Sequence, residues 1–310
     1  MKSDLSIVMY HYVRDIKNSK YTKLKALDIK QFCDQLDFLN KNYNIISGKE
    51  LISYISKEEK KLPPKSCLLT FDDGYKDHID YVLPELSKRK IKGCFFPVSS
   101  AVEKNNLLDV NAIQLILANI NNIDELLINL KKEFLSNNLS INLFNKLWKQ
   151  NARKGRYDNK KVIFIKKTLQ YSLPIKTRKK IVSSLFKKFI KVPSKNIAKE
   201  IYMSKKDIEC LFDNGMNIGN HTHSHEWLAH LNIDEQKKEI LKSLNFLKKI
   251  SKSDKDWIMC YPYGSYNTNT LKILSKYNCI AALTTKSGKA PLNNKKNFFE
   301  LNRFDTNDFK

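Results

Sequence analysis

The sequence has few arginines, no closely paired cysteines and no long apolar stretch. Only six of its 56 basic residues are arginine, the residue that nucleic-acid readers favour for bidentate contacts, so the net charge of +24 does not by itself indicate such a partner. The scattered cysteines are typical of reduced thiols. No apolar run approaches the roughly 18 residues that span a bilayer, and the start lacks the features of a secretory signal. The sequence therefore predicts a cytoplasmic protein that does not bind nucleic acid.

Predicted strands and helices alternate over most of the chain. Buried strands are predicted for LSIVMYHY (5–12), SCLLTF (66–71) and KGCFFPVS (92–99), with amphipathic helices between them. Later strands are predicted at MNIGN (216–220), WIMCYP (257–262), CIAALTT (279–285) and FFELNRF (298–304). This alternation is typical of parallel βα units in a barrel or an open sheet, where catalytic groups collect at the carboxyl ends of the strands.

The middle of the chain breaks this pattern. From about residue 103 to 200 the sequence is helical in character and rich in lysine and asparagine, and residues 151–200 alone hold sixteen Lys/Arg against two acids. We therefore predict an α/β catalytic domain made of residues 1–102 and 201–310, interrupted by a helical, basic insertion at 103–200.

Two polar clusters fall at predicted strand ends. Asp72 and Asp73 follow CLLTF, and His221, His223 and His225 follow MNIG. Two imidazoles and a carboxylate can hold a divalent metal with open positions, as hydrolytic sites require. The pair could be His221 and His225, or His221 and His223 if the segment is extended. A bound cation would also offset the repulsion between adjacent acids, so that one binds metal while its neighbour stays ionised as a base.

Three motifs in this order resemble the polysaccharide deacetylases of NodB-like fold. They are TFDDG at 70–74, HTHSH at 221–225 and YPYGSYN at 261–267. The resemblance implies a distorted (β/α) barrel and a divalent metal, most often Zn²⁺. It also implies that Asp72 is the general base and that Asp73, His221 and His225 are the metal ligands. His223 falls on a variable position of the second motif.

The sequence departs from the family pattern in two places. Cys260 stands where the family has an arginine that orients the base, and Arg303 in LNRFD is the candidate replacement. No histidine follows His230, although the family takes its general acid from a late motif. The N-terminal VMYHYV resembles a subgroup that includes poly-N-acetylglucosamine deacetylases, in which the acid histidine lies near the start; this implies that His11 protonates the leaving amine.

The third motif and the residues after Asp73 supply candidate substrate contacts. Tyr261, Pro262 and Tyr263 match the family's groove wall, and backbone N–H groups near Tyr75 could stabilise an oxyanion. His78, at the end of TFDDGYKDH, is expected on a helix surface.

Residues 176–192 form a predicted basic amphipathic helix. Its apolar side chains make two adjacent rows: Ile181, Leu185 and Phe189, and then Val182, Phe186 and Ile190. These rows either pack on the insertion's own core, or the helix attracts an anionic partner such as a nucleotide- or diphosphate-linked sugar or the acidic inner face of a membrane.

These features together predict a metal-dependent hydrolase. It would remove the N-acetyl or another small N-acyl group from an amino sugar of a bacterial surface-glycan precursor. Two alternatives are a non-catalytic glycan-binding protein on the same fold and an amide hydrolase with a non-sugar substrate.

Overall fold

The protein is described here by a computed structural model that covers residues 5–58, 61–155, 158–253, 255–292 and 294–308. The described residues divide into two compact units. The first contains the residues up to Asp15, Ala26–Asn106 and the residues from Lys199 onward. The second contains Ile16–Lys25 and Leu107–Ala198.

Ten β-strands are present in the described residues: β1 Leu5–Tyr10, β2 Val13–Arg14, β3 Leu27–Asp28, β4 Asn44–Ile46, β5 Ser66–Asp73, β6 Cys94–Pro97, β7 Asn217–Ile218, β8 Trp257–Cys260, β9 Cys279–Leu283 and β10 Phe304–Asp305. The α-helices are α1 Ile29–Asn42, α2 Gly48–Ile55, α3 Leu83–Lys88, α4 Ser99–Lys104, α5 Asp109–Asn119, α6 Ile123–Ser136, α7 Ile141–Asn151, α8 Lys160–Lys167, α9 Ile175–Ile190, α10 Ser194–Ile201, α11 Lys205–Asp213, α12 Ile233–Ser251 and α13 Thr268–Lys276.

The first unit is built on parallel strands. Its main sheet has the order β10-β1-β5-β6-β7, with β4 paired to the start of β5, and β8 pairs with β9. Single parallel bridges join Asn220 to Met259 and Leu283 to Leu301. They continue the ladder from β7 to β8 and from β9 towards β10, which gives a distorted (β/α) barrel and confirms the predicted fold class.

Helix boundaries in this unit follow local sequence signals. Ser47 caps α2 and Asn232 caps α12, each in a capping box with the glutamate three residues later. Ser204 does the same for α11 with Asp207. These caps satisfy backbone N–H groups that a helix N-terminus would otherwise leave unpaired.

Gly219 allows a close approach at the end of β7. A methyl group at this position would lie 2.3 Å from Phe96 and 2.7 Å from the carbonyl oxygen of Ile258. The backbone of this segment therefore packs directly against β6 and β8, which brings the histidines that follow it towards the end of β8.

The second unit is a helical body with its own core. Helix α9 buries Ile181, Val182, Leu185 and Phe186, so most of its apolar rows face protein. Its lysines remain exposed. Of the two interpretations of 176–192, the observed burial therefore favours packing of the apolar rows on the insertion itself, and it leaves the lysine face open to solvent.

Residues 16–25 belong to the second unit, whereas the sequence prediction placed them in the catalytic domain. Lys25 and Lys166 both pair with the Asp158 carboxylate, at 2.5 and 2.7 Å, and Lys23 donates to Asn121 at 2.8 Å. The division into domains at 103 and 200 stays a prediction, since compact units are not by themselves independently folding domains. Among the described residues, no helix combines the length and apolar character needed to cross a membrane.

Candidate active site

The polar residues at several strand ends of the first unit converge. Asp72 and Asp73 close β5, and His221 and His225 lie in the loop after β7. Cys260 closes β8. All five side chains are buried, although they come from three separated segments. This convergence follows from parallel strands, whose carboxyl ends meet at one edge of the barrel.

Asp73, His221 and His225 fit a divalent metal. The Nε2 atoms of His221 and His225 lie 3.3 and 3.2 Å from Oδ1 of Asp73. That oxygen is buried and has no hydrogen-bond partner among the described residues. Buried polar atoms are rarely left without a partner, so this oxygen fits the role of a metal ligand. Burial alone would raise the pKa of Asp73, but His225 and His221 beside it hold this pKa well below its usual value. One carboxylate and two imidazoles match the ligands of hydrolytic zinc sites.

Hydrogen bonds behind His221 and Asp73 orient the atoms that would bind a metal. Nδ1 of His221 lies 2.8 Å from the carbonyl oxygen of Cys260, so a hydrogen bond there would place the proton on Nδ1 and leave Nε2 free for metal. The Tyr75 hydroxyl donates to Oδ2 of Asp73 at 2.5 Å, which leaves Oδ1 to face the histidines. The Tyr75 ring is fully buried and stacks on that of Tyr12, with 3.7 Å between the ring centroids.

Four residues at or beside the cluster have an uncommon backbone conformation. Asp73, Thr222, His225 and Tyr263 all have positive φ angles, of 70°, 63°, 57° and 57°. Residues other than glycine rarely adopt this conformation, and such strain persists where the surrounding structure holds a functional side chain in place.

Hydrogen bonds hold the histidine loop in this conformation. The backbone N–H of His225 donates to Oγ1 of Thr222 at 3.1 Å. Glu239 of α12 accepts from the backbone N–H groups of His223 and Ser224, at 3.2 and 2.7 Å. His223 itself turns away, with Nδ1 2.8 Å from Oγ of Ser99. The geometry therefore fits the pairing of His221 with His225, and not the alternative pairing of His221 with His223.

Arg303 holds Asp72. Its Nη1 and Nη2 atoms donate to Oδ1 and Oδ2 of Asp72 at 2.9 and 2.8 Å, and its Nε donates to the Thr284 carbonyl at 2.9 Å. The arginine side chain has no exposed surface and that of Asp72 is only 2% exposed. Burial alone would raise the pKa of Asp72, but Arg303 and His221 lower it to about 2. Asp72 is therefore ionised and oriented, as a proton acceptor must be.

His11 lies at the edge of the cluster and is the most exposed of the candidate residues. Its Nε2 is 4.0 Å from Oδ2 of Asp72, and its side chain is 44% exposed.

His78 is not on a helix surface as expected. It lies at the start of a helical turn and is fully buried against the rings of Phe71 and Phe95. Its Nε2 lies 2.9 Å from the carbonyl oxygen of His11, so His78 helps to fix the backbone that carries His11.

The third motif contributes one ring to the cluster. The Tyr263 ring lies 4.6 Å from that of His225 and stacks on Trp227 at 4.5 Å. Tyr261 is buried, donates to the carbonyl oxygen of Phe299 and stacks on Tyr266, while Pro262 is buried in the intervening turn. Tyr263 is thus the aromatic side chain of this motif that borders His225, one of the candidate metal ligands. The substrate contacts assigned to Tyr75, Tyr261, Pro262 and Tyr263 remain predictions.

Some supporting residues had no signal in the sequence. Glu239 lies 14 residues after His225 on an ordinary amphipathic helix, and nothing in its neighbourhood marks it as a loop anchor. The position of Tyr75 directly after TFDDG is compatible with a hydrogen bond from its hydroxyl to Asp73. A tyrosine in a turn does not by itself indicate such a contact.

Comparisons with known proteins identify a family and a shared fold. The family model for polysaccharide deacetylases matches residues 59–130 and 174–281. YxkH of Bacillus subtilis (strain 168), which carries the name of a polysaccharide deacetylase, is 30% identical over 99 residues. That match covers 32% of this chain and 33% of YxkH, so only a third of the relative's length is matched.

Solved structures share the fold. The deacetylase PplD of Streptococcus pyogenes, solved in complex with acetate, superposes with a TM-score of 0.60 at 18% identity, over 98% of this chain and 93% of PplD. IcaB of Ammonifex degensii superposes with a TM-score of 0.53 at 18% identity, over 92% of this chain and 84% of IcaB. Since the family model covers more than half of the sequence and includes the TFDDG and HTHSH motifs, the chain belongs to the polysaccharide deacetylase family.

Proposed function

We propose that the protein is a metal-dependent N-deacetylase of an amino sugar in a bacterial surface-glycan precursor. The observation that carries this proposal is the convergence of Oδ1 of Asp73 with Nε2 of His221 and of His225. It lies beside a second carboxylate, Asp72, that is buried and clamped by Arg303. A metal-binding triad next to an oriented base is the arrangement that amide hydrolysis requires.

Each residue of the cluster has a role in this proposal. A divalent cation such as Zn²⁺, when bound by Asp73, His221 and His225, would polarise the acyl carbonyl and lower the pKa of water. Asp72 accepts the proton of the attacking water, since its pKa of about 2 keeps it ionised at neutral pH. His11, whose Nε2 is 4.0 Å from Asp72, donates a proton to the departing amine. The products are acetate, or another small carboxylate, and a free amino sugar.

The substrate is proposed to be an N-acylated sugar on a phosphate-containing carrier, such as a nucleotide or a lipid diphosphate. Family membership supports an acetylated glycan as the general class. The proposal includes a cytoplasmic location, which the six unpaired cysteines support. It also includes peripheral contact with an acidic membrane through the exposed lysines of α9.

The non-catalytic alternative rests on two departures from the family pattern, the missing third-motif arginine and the missing late histidine. Arg303 makes a bidentate contact with Asp72, so the base has an orienting partner, and this observation favours catalysis over binding alone. A non-sugar amide as substrate requires the same cluster, and release of acetate or amine from a panel of acyl sugars, sugar nucleotides and cyclic amides would separate it from the proposed activity.

Asp73→Ala tests the proposal. We expect this variant to lose both stoichiometric zinc and hydrolysis of N-acetyl sugars, because it removes the ligand atom that both histidines face. Asp80→Ala is the matched control, since Asp80 is an exposed acid on the same segment. Metal content is measured after gel filtration, and acetate release is measured with a coupled assay. Equal zinc content and equal turnover in Asp73→Ala and the unmodified protein would contradict the proposal, and metal without turnover in the unmodified protein would indicate the binding-only alternative.

A further inference from the structure

A second set of potential metal ligands overlaps the first. Sγ of Cys260 lies 3.4 Å from Oδ2 of Asp72. Ligand atoms of Asp72, His221 and Cys260 all lie within 4.8 Å of one another, and all three residues are buried. The thiol is fully inaccessible and occupies the position where the family pattern has an arginine. A replacement that removes a cation and adds a sulfur ligand changes which metals this end of the barrel can take.

We propose that Asp72, His221 and Cys260 form an alternative site for thiophilic divalent cations, such as Cd²⁺ or excess Zn²⁺, and that its occupation inhibits the enzyme. Inhibition follows from the residues involved: the cation takes Asp72, the proposed base, and His221, a proposed ligand of the catalytic metal. The inhibitory consequence rests on the proposed function, but binding of the cation to this site does not.

Two features of the site make it selective. Sulfur ligands favour soft ions, and Mg²⁺ or Ca²⁺ gain little from a thiolate. Arg303 competes with any cation for the oxygens of Asp72, so an ion must form a strong bond to sulfur to displace the guanidinium from Oδ2. Because Arg303 also contacts Oδ1 through Nη1, it can keep that second contact while Oδ2 changes partner.

Binding at this site is a ligand exchange without a redox step. The Cys260 S–H bond breaks, a sulfur–metal bond forms and the proton passes to solvent, while sulfur keeps its oxidation state. His221 can offer only one free ring nitrogen, because Nδ1 lies against the carbonyl of Cys260. The two metal sites therefore share Nε2 of His221 and exclude each other.

The binding step is tested by titrating the metal-free full-length protein with Cd²⁺. Cadmium–thiolate bonds produce an ultraviolet charge-transfer band, which the ligand set of Asp73, His221 and His225 cannot produce because it contains no sulfur. A weak competing chelator keeps single surface thiols unfilled. In the unmodified protein we expect the band to saturate at one equivalent of Cd²⁺. We expect no band in Cys260→Ser and an undiminished band in Asp73→Asn, which lacks one ligand of the catalytic set.

Cys210→Ser is the matched control, since Cys210 is the exposed cysteine of the described chain. This variant should keep the full band, because a lone surface thiol has no second ligand. A full band in Cys260→Ser, or loss of the band in Cys210→Ser, would overturn the assignment. Circular dichroism of each variant confirms that the band is compared between folded proteins.

The inhibitory step is tested on the zinc-loaded enzyme. The rate of each protein is normalised to its own rate without Cd²⁺. The Cd²⁺ concentration for half-inhibition should then be at least about tenfold higher in Cys260→Ser than in the unmodified enzyme, as expected for the loss of roughly 1.4 kcal/mol or more of cation binding. It should stay unchanged in Cys210→Ser. Equal sensitivity of Cys260→Ser and the unmodified enzyme would refute inhibition through this site. Absence of hydrolysis in the unmodified protein would refute the proposed function and leave the spectroscopic result standing.

Discussion

At the scale of single residues, the neighbouring acids Asp72 and Asp73 have different environments. Asp72 is clamped by a guanidinium, whereas Asp73 faces two imidazole nitrogens and a tyrosine hydroxyl. Because each carboxylate has its own opposite charge or hydrogen-bond donor, both can be ionised although they are adjacent in the chain. This difference is the physical basis for assigning proton transfer to one and metal binding to the other.

Replacement of Arg303 by methionine should shift the acid limb of kcat/KM upward. Burial of Asp72 persists in the variant, but the guanidinium that lowers its pKa to about 2 is lost. An opposite charge at this distance typically lowers a carboxyl pKa by about one to three units, so the acid limb attributable to Asp72 should move up by a similar amount. The measurement is kcat/KM for an N-acetyl sugar between pH 4 and 8, a range in which Asp72 of the unmodified enzyme stays ionised.

Stability provides the control for this variant. An unpaired buried charge costs about 3 to 5 kcal/mol, so Arg303→Met should also melt earlier, most clearly at high pH, where Asp72 must stay charged. Arg303→Lys keeps the positive charge but cannot make the bidentate contact with Asp72. It is the variant to measure if Arg303→Met does not fold. Arg178→Met removes a buried arginine of the second unit and should leave the pH profile unchanged. An identical acid limb in Arg303→Met and the unmodified enzyme would contradict the role of Arg303.

Replacement of Tyr75 by phenylalanine should weaken metal binding. The hydroxyl at 2.5 Å from Oδ2 of Asp73 is lost while the buried ring keeps its stack on Tyr12. Loss of such an outer hydrogen bond typically costs about 10- to 100-fold in metal affinity. Zinc affinity is measured by chelator competition. Tyr81→Phe removes a hydroxyl from a partly exposed ring nearby and should bind zinc as the unmodified protein does; equal affinities for Tyr75→Phe and Tyr81→Phe would argue against this role.

At the scale of elements, the strands of the barrel were easier to predict than its short segments. SCLLTF and WIMCYP are continuous apolar runs, which is typical of strands buried on both faces, and both are strands in the structure. FFELNRF was predicted as a strand, but Lys295–Phe299 forms a helical turn. Leu301 makes a single parallel bridge to Leu283, and the strand itself contains only Phe304–Asp305. That prediction was largely wrong, because a short apolar run does not distinguish a strand from a buried turn.

The loop after β7 shows why element identity alone does not build the site. The loop begins at Gly219, where a side chain would clash with Phe96 and the Ile258 carbonyl. Within the loop, Thr222 accepts a hydrogen bond from the backbone of His225, and Glu239 of α12 accepts one from the backbone of Ser224. These contacts turn His221 and His225 to one side and His223 to Ser99. The HTHSH spacing predicted that some pair of histidines would bind metal, but the choice of pair depends on this packing.

At the scale of the whole molecule, positive charge is concentrated outside the barrel. Helix α9 has no acidic residue, and its apolar face is buried in the second unit. The exposed lysines are therefore what this helix offers to a partner. Polybasic surfaces gain about 1 kcal/mol for each lysine near an acidic membrane.

Replacement of Lys176, Lys180 and Lys187 by glutamine should weaken binding to acidic lipid vesicles by about 100-fold, from roughly 3 kcal/mol in total. Binding is measured by co-sedimentation at low and physiological salt. Lys237, Lys238 and Lys242 of α12 are exposed and carry the same charge, so their triple replacement is the matched control and should have a smaller effect. Equal losses in the two triple variants would show that net charge, and not α9, drives binding.

The sequence by itself determined the fold class, the family and the residue types of the candidate metal-binding cluster. These follow from local features: apolar runs that form buried strands, and motifs at their carboxyl ends, where parallel topology brings side chains together. The sequence offered Arg303 as a candidate partner of Asp72, and only the tertiary structure decided that it holds that carboxylate across 231 residues and that Cys260 lies beside it. It also placed His78 in the core and Tyr75 under Asp73. The contacts of His78 and Tyr75 had no specific signal in the sequence, because they depend on which strands become neighbours around the barrel and on how closely their backbones approach.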